Sequence, residues 1–475
     1  MEANESFRLS LHFKDMLKSD LSHAFSEYLP VNLIEEKAHN VMQNCRERIF
    51  TPVNTVLTML LSAIQEDKSM QNGLNLFKNV FESKCKDIIE IESAQLESAK
   101  NAASHQPRKS GRPKQYKSSL PKRYKKPLSA STAAYATARK NLDTSIIEAV
   151  YDYSTHFGAL DKESWHGMKT YITDGTYMQL QDTEDIKSQY TVKGQESSYP
   201  QALLQVMIRQ GSGQISRFAV ASRQKSELTV VIPMIKTLEK NSLLLADDLY
   251  NTYYHFCLIL SQQSHIIVPG KRDRNYKVVR TINDNDQIVE ITKTGCPDYV
   301  DREEWENLPQ TILLRRITYT YPTKNGMESA VLYTTILDET IKTSDIITKY
   351  AMRWDIEISI REIKTLMGIN VLRSKSRDMM FKELYIALIA YNMVRRLIAE
   401  SADTVGFSPQ RDIFQECTSF GRTVLLDKKG RVFFKWSPGR YGYANERDNQ
   451  ILDPASKRKK KTLRTKNKTR KISKI

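Results

Sequence analysis

The sequence is poor in cysteine and lacks any long uninterrupted apolar run. Its five cysteines lie far apart and never form a C-x-x-C pair with histidine nearby, which argues against a disulfide framework and a structural zinc site. No run approaches the ~18 apolar residues of a membrane span, and the opening MEANESFRLSLHFKD lacks the basic and apolar regions of a secretion signal. These absences predict a cytoplasmic protein with no membrane partner.

Acidic residues are missing from two segments that are rich in lysine and arginine. Residues 101–127 contain nine such cations and residues 455–475 contain eleven, which together exceed the formal net charge of +17 of the whole chain. Such concentrated charge favours a polyanionic partner, most often nucleic acid, because each neutralised phosphate releases a counterion. A solubility or membrane-surface role for the basic tail is the alternative.

The first basic segment contains a pattern that resembles an AT-hook. Gly111, Arg112 and Pro113 are flanked by further cations, as in motifs that lay an extended Arg-Pro segment into the narrow minor groove of A·T tracts. Arg112 is therefore a candidate DNA contact. A general phosphate-binding linker is the alternative.

Periodicity and composition divide the chain into seven segments. The predicted segments are a helical N-terminal domain for DNA-end binding (1–100), a basic Pro/Ser linker (101–128), a helical connector (129–168), the first part of an α/β core (169–270), a β-rich insertion (271–344), the second part of the core with a Glu-bearing helix (345–400), and a C-terminal region that ends in the basic tail (401–475). The insertion is predicted because its four strand candidates have no helix of comparable strength between them.

One predicted helix, Lys349–Gly368, carries an unusual row of charged side chains. At ~100° per residue, one narrow stripe holds five side chains, which are Tyr350, Arg353, Glu357, Arg361 and Lys364. The opposite face is apolar and includes Met352. A solvated face with weak i,i+4 ion pairs is the simpler explanation.

Two further carboxylates are predicted at strand ends. Asp174 follows the apolar residues YIT, and Asp247 follows LLLA, in the most hydrophobic strand of the chain. A carboxylate at the edge of an apolar core is costly unless a cation compensates it. Turn initiation is the alternative for each aspartate alone.

Taken with Glu357, these aspartates suggest a hard-cation site. Three carboxylates without soft ligands suit Mg²⁺, with Mn²⁺ as a substitute. Two such ions about 3.5–4 Å apart can polarise a phosphate, generate the attacking hydroxide or 3′-hydroxyl and stabilise the leaving oxygen. In this hypothesis Asp174 bridges both ions, Asp247 and Glu357 each hold one, and no small-molecule cofactor is needed.

The spacing Tyr350-x2-Arg353-x3-Glu357-x6-Lys364 resembles the Y-R-E-K signature of bacterial insertion-sequence DDE transposases, specifically the insertion sequence four family. DGTYMQLQDT and LLADDLYNTYYHF resemble the two aspartate segments of that family, and the resemblance extends over about 46–461. It implies an RNase H-like (retroviral-integrase-like) core interrupted by a β-strand insertion. It also implies Mg²⁺-dependent cleavage at terminal inverted repeats, often through a hairpin, and strand transfer into target DNA by a dimer.

The resemblance also implies roles for individual residues. Asp174, Asp247 and Glu357 match the DDE triad, while Tyr350, Arg353 and Lys364 match contacts to transposon-end phosphates, and Arg361 shares their stripe. Trp354 matches a position that stacks on a flipped base in some relatives, with core packing as the alternative.

Two further positions bear on the resemblance. Asp248 departs from the family, which usually has Arg after the second aspartate, and the added negative charge puts activity in doubt. Glu227 lies where relatives often have a glutamate between the two aspartates, as a possible supporting residue.

Two other functions stay open. An RNase H-like endonuclease could use the same triad without joining DNA ends to a target. A domesticated, inactive DNA-binding protein could keep only the basic segments and the helical domain. The intact signature favours the transposase over both.

Overall fold

The computed structural model describes residues 24–42, 49–65, 67–83, 131–156, 164–191, 199–270, 274–323, 326–365, 367–405, 424–426 and 432–434. Arg112 and the AT-hook-like segment lie outside these ranges, as do most of the linker and the basic tail. The chain divides into two units, 1–420 and 421–475. Across the described ranges, no helix has the length and apolar composition needed to cross a membrane.

Helices precede the sheet in the first unit. They are α1 (Val31–Val41), α2 (Pro52–Ala63), α3 (Ala133–Asn141) and α4 (Thr144–Ser154), and residues 70–83 are helical as well. Helix α2 begins where Thr51 caps the amide of Asn54 and Pro52 takes the first helical position. Its buried leucines join the main core.

Ten of the described strands form one mixed sheet. The strands are β1 (Ser164–Trp165), β2 (Met168–Gln179), β3 (Gln201–Arg209), β4 (Ile215–Ser222), β5 (Ser242–Leu245), β6 (His265–Pro269), β7 (Lys277–Asn283), β8 (Asp286–Thr292), β9 (Thr311–Thr323) and β10 (Gly326–Thr334). Their order is β4-β3-β2-β5-β6-β10-β9-β8-β7, and β1 pairs with β2. The pairs β2–β5 and β5–β6 are parallel, and every other pair is antiparallel.

The remaining helices connect or cover these strands. They are α5 (Glu184–Tyr190), α6 (Glu227–Val230), α7 (Ile232–Lys236), α8 (Tyr253–Ser261), α9 (Arg302–Glu306), α10 (Thr343–Ala351), α11 (Asp355–Thr365) and α12 (Arg377–Val405). Helices α6 and α7 are separate because Pro233 lacks the amide that would continue α6, and α7 begins at Ile232. In the second unit, β11 (Val424–Leu426) pairs with β12 (Val432–Phe434) as an antiparallel hairpin.

The two faces of the sheet pack against different cores. Ile172 and Leu245 point into the core that contains α4, α11 and α12, whereas Tyr171 and Leu244 point into the core that contains α7 and α8. Because neighbouring residues of a strand alternate between faces, this division fixes the direction of every side chain that follows on β2 and β5.

Candidate functional site

The two aspartates lie side by side beyond the parallel pairing of β2 and β5. The last paired residues are Ile172 and Leu245, and each aspartate lies two positions further along its own strand direction. Alternation therefore sends both carboxylates towards the core face that carries α11. The predicted strand end at Asp174 is wrong, because β2 continues to Gln179 through antiparallel pairing with β3.

Glu357 reaches this place from α11. Asp174 and Glu357 line one open pocket of about 340 Å³. Arg361, Lys364 and Thr365 contribute to the same wall. The structure thus brings together residues separated by more than 180 positions in the sequence, as the carboxylate hypothesis expected.

The pKa values of both aspartates are raised, mainly by burial and in part by neighbouring negative charge. Burial raises the pKa of Asp174, the Gly175 amide opposes this through a hydrogen bond of 2.8 Å, and the charges on Asp247 and Glu357 raise it further. Burial also raises the pKa of Asp247, against a hydrogen bond from the Leu249 amide. The positive charge of Arg353 lowers both pKa values, but burial and the neighbouring carboxylates outweigh it.

The carboxylates do not yet enclose a common point. Among the residues that the structure describes, no three His, Cys, Asp or Glu side chains lie close enough together to hold a metal ion. The donor set nevertheless fits a hard divalent cation, since it consists of carboxylate oxygens whose mutual repulsion such a cation would relieve.

The predicted single helix over Lys349–Gly368 is wrong. Helix α10 ends at Ala351, residues Met352–Trp354 form a 3₁₀ turn, and α11 begins at Asp355. A 3₁₀ turn rotates the chain by ~120° per residue rather than ~100°. The angular positions calculated for one continuous α-helix therefore do not hold across this turn. Met352, which was predicted on the apolar face, is consequently 40% exposed.

The cations of the signature still meet the carboxylates and the sheet. Arg353 Nη2 donates to Glu357 Oε1 at 3.2 Å, and Lys364 Nζ donates to Thr176 Oγ1 at 3.1 Å. Arg361 is exposed at the pocket wall. Tyr350 is partly buried against the core, and this burial raises the pKa of its hydroxyl.

Trp354 stands in solvent rather than in the core. Its side chain is 62% exposed, and the Arg353 guanidinium lies 5.2 Å from its ring centre. The core-packing alternative is therefore wrong. An exposed indole with a cation on it is available for stacking.

Glu362, on the same helix as Glu357, is paired away from the pocket. Arg395 Nη2 donates to Glu362 Oε2, and the Tyr391 hydroxyl donates to the same oxygen at 3.3 Å. Arg395 is 1% exposed, so this ion pair joins α11 to the interior of α12. Leucines and isoleucines of α12 are buried in the main core.

A fourth carboxylate approaches from the other face of β2. Glu227 opens α6, and a Cβ atom on Gly175 would lie 2.4 Å from its Cδ. Burial and the charges on Asp174 and Asp247 raise the pKa of Glu227. A side chain at position 175 would therefore displace this carboxylate from its position.

A polar network surrounds this fourth carboxylate. Gln205 Nε2 donates to the Tyr250 hydroxyl at 2.8 Å and to Thr173 Oγ1 at 2.9 Å, and Tyr250 also hydrogen-bonds Glu227. The sequence analysis missed Gln205, although a glutamine inside the apolar strand ALLQVMI is a signal for a buried polar contact.

Asp248 is exposed beside the second aspartate. It begins the 3₁₀ turn Asp248–Tyr250, which Asp247 caps. The Asp248 charge is one of the causes that raise the pKa of Asp247. The departure from the usual Arg therefore adds negative potential at the site.

Comparisons with known proteins match the part of the chain that contains these residues. Residues 165–393 match the family model described as transposase DDE domain. The chain is also 25% identical over 321 residues to the transposase InsG for insertion sequence element IS4 of Escherichia coli (strain K12), which covers 65% of this chain and 69% of that protein.

A solved structure is similar as well. It is the cryo-EM structure of a piggyBac transposase synaptic complex with hairpin DNA, with 12% identity and a TM-score of 0.32 over 68% of this chain. The chain spans 65% of that structure's length, slightly less than two thirds, and so low a score carries no argument. On the sequence matches, the chain is similar to DDE transposases over residues 165–393 and resembles the transposase of element IS4.

Proposed function

We propose that this protein catalyses DNA transposition: cleavage at the terminal inverted repeats of an insertion sequence, followed by strand transfer into target DNA. The observations that carry the proposal are that Asp174 and Glu357 line one pocket, and that Asp247, just past the end of the neighbouring strand, lies close enough for its charge to raise the pKa of Asp174. The proposed partner of the protein is double-stranded DNA. A homodimer of the chain would bind this DNA at the nucleoid, in the cytoplasm. The basic segments 101–127 and 455–475 provide salt-sensitive affinity.

The three carboxylates would hold Mg²⁺, or Mn²⁺ in its place. Two divalent ions in such a site polarise the scissile phosphate and stabilise charge on the attacking and leaving oxygens. Asp174 and Asp247, on adjacent strands, supply the fixed part of the ligand set. Glu357 completes the ligand set from a helix, and Arg353 pairs with its carboxylate at 3.2 Å.

The DNA strand is gripped by the signature residues around the pocket. Arg353 and Arg361 offer forked guanidinium groups to phosphate oxygens, and Lys364 offers a point charge. Lys364 is already directed to β2 through Thr176. Tyr350 contributes a neutral hydroxyl donor, because its raised pKa keeps it protonated.

For the fold, we propose an RNase H-like core with the β-rich insertion and the domain boundaries predicted from the sequence. The order β4-β3-β2-β5-β6, with three antiparallel strands followed by two parallel ones, supports the core. The Ile266 amide donates to Thr335 Oγ1 at 3.1 Å. This contact supports the insertion, because the chain leaves the core after β6 and returns to it after β10 at a neighbouring position.

The test uses a labelled duplex with the terminal repeat of the element that encodes this chain, and a supercoiled target plasmid. We expect Mg²⁺-dependent 3′-end nicking and joined products from the full chain, and neither from Asp174→Asn, Asp247→Asn or Glu357→Gln. Asp355→Asn, on the same helix as Glu357, is the matched control that keeps activity. Nicking without joined products would indicate the endonuclease instead, and binding without nicking would indicate the inactive DNA-binding protein.

A further inference from the structure

An exposed aromatic and cationic patch lies just beyond the acidic site, on the opposite face of β2 from Asp174. Tyr177 follows Asp174 by three residues on the same strand, so alternation turns it to the face of Gly175 and Glu227. It is 43% exposed. A tyrosine in solvent next to a reaction centre suggests that something covers its ring during the reaction.

Arg223 fixes this ring from the end of β4. Its guanidinium lies 5.4 Å from the Tyr177 ring centre, and its Nη1 donates to Gln201 Oε1 at 2.5 Å. Lys225 is exposed in the same turn, where its amide donates to the Ser222 carbonyl at 2.9 Å. The patch thus combines an aromatic face with two positive charges.

A second exposed tyrosine stands at the same edge of the sheet. Gln201 pairs with Gln179, and Tyr199, two residues before Gln201, is 69% exposed. An arginine stacked on an exposed aromatic occurs again at Arg353 and Trp354. Two arginine–aromatic pairs therefore flank the carboxylates, one from the helix segment and one from the sheet.

We propose that Tyr177, Arg223 and Lys225 form a binding site for an unpaired DNA strand, with a base stacked on Tyr177 and phosphates on the two cations. Aromatic faces with nearby cations bind single strands with little sequence preference, because every base has a π-face. The inference rests on the proposed function, since the strand would be the one next to the cleaved bond. It adds a contact on the sheet side, outside the signature residues.

The test measures binding of the full chain to a labelled oligothymidylate of about 12 nucleotides and to a blunt duplex. About 0.3 M NaCl suppresses the contribution of the basic segments. We expect Tyr177→Leu to weaken oligothymidylate binding about five- to tenfold and Arg223→Gln about threefold, with duplex binding unchanged. Tyr177→Phe keeps the ring and should stay near wild type.

Tyr153→Leu is the matched control, because Tyr153 is 42% exposed on α4. Light-induced cross-linking to 5-iododeoxyuridine in the same oligonucleotide should give a Tyr177 peptide adduct. Equal oligothymidylate affinity of Tyr177→Leu and wild type, in a chain that cleaves DNA, would overturn the inference alone. Tyr177-dependent binding by a chain that never cleaves DNA would overturn the proposed function and leave this site standing.

Discussion

Glu227 fills the space that any side chain at Gly175 would need, with its Cδ 2.4 Å from the position of a Cβ atom there. The contact joins helix α6 to strand β2 immediately after Asp174. A glycine that looks like part of a turn in the sequence is therefore a packing requirement within a strand.

Gly175→Ala should lower the free energy of unfolding by about 1 kcal/mol or less, because the added methyl meets the end of the flexible, half-buried Glu227 side chain and displaces it. In a Glu227→Ala background the same change should cost much less, as a double-mutant cycle of denaturant unfolding would show. Gly295→Ala is the control, since nothing lies within 4 Å of its Cβ position. Equal costs in both backgrounds would contradict the packing argument.

Removing one partner of the buried ion pair between Arg315 and Asp286 should strongly destabilise the protein. Arg315 Nη2 donates to Asp286 Oδ2 at 2.6 Å, and its Nη1 donates to the Asp338 and Ile341 carbonyls at 2.8 and 2.9 Å. Asp286→Ala should cost about 3–5 kcal/mol in urea unfolding, because it leaves a buried guanidinium without its charge partner.

Glu306→Ala is the control for that measurement. Glu306 pairs with Arg302 at 3.6 Å across one helical turn. The Arg302 side chain is 88% exposed and the Glu306 side chain is 70% exposed. A loss below about 0.5 kcal/mol is expected there. Similar losses of unfolding free energy for Asp286→Ala and Glu306→Ala would contradict the argument that the unpaired buried guanidinium is costly.

His255 should make stability depend on pH in the acid range. Burial lowers the pKa of His255 to about 4, from the ordinary value of 6.5. The unfolded chain therefore binds the proton more tightly, so stability is full above pH 6.5 and falls as the pH decreases towards 4. At pH 4 the loss from this group approaches about 3 kcal/mol.

His255→Gln should remove that part of the pH dependence. Its ring nitrogens contact Thr252 Oγ1 at 2.8 Å and the Leu228 carbonyl at 3.2 Å, so the variant is less stable at neutral pH but has a flatter profile. Denaturant midpoints measured across the pH range for both proteins would check this. Parallel profiles would show that another group is responsible.

Asp248→Asn should tighten DNA binding about two- to fivefold at low salt, because it removes a negative charge beside the phosphate path. Asp284→Asn is the control: Asp284 lies in the turn between β7 and β8, and β8 is four strands away from β5 in the sheet order. Anisotropy titrations at two salt concentrations would measure both. An Asp248→Asn effect that persists at high salt would not be electrostatic.

The strands were predictable because their signal is local. The four segments predicted as strands from their alternating and β-branched residues correspond to β7–β10. They are YKVVRTI, DQIVEITK, TILLRRITYTY and ESAVLYTTIL. The three carboxylates were also found, since charge next to an apolar strand or among cations on a helix can be seen in one dimension. Their assignment as metal ligands stays a prediction.

Features that depend on contacts between distant elements were not predictable in the same way. The break at Met352–Trp354 contains neither proline nor glycine, so nothing in the local sequence marks it. The approach of Glu227 to Gly175 depends on how α6 packs on β2. The continuation of β2 past Asp174 depends on β3, which begins more than twenty residues later.

The contact between Ile266 and Thr335 has a consequence for protein engineering. Because the excursion over β7–β10 starts and finishes at hydrogen-bonded neighbours, a short linker could close the gap geometrically. Such a deletion would, however, strip β10 from β6 and leave Ile267 and Val268 on a bare sheet edge. Unpaired apolar edges recruit strands from other molecules. Deletion of β7–β10 should therefore yield an aggregating protein rather than a smaller folded one.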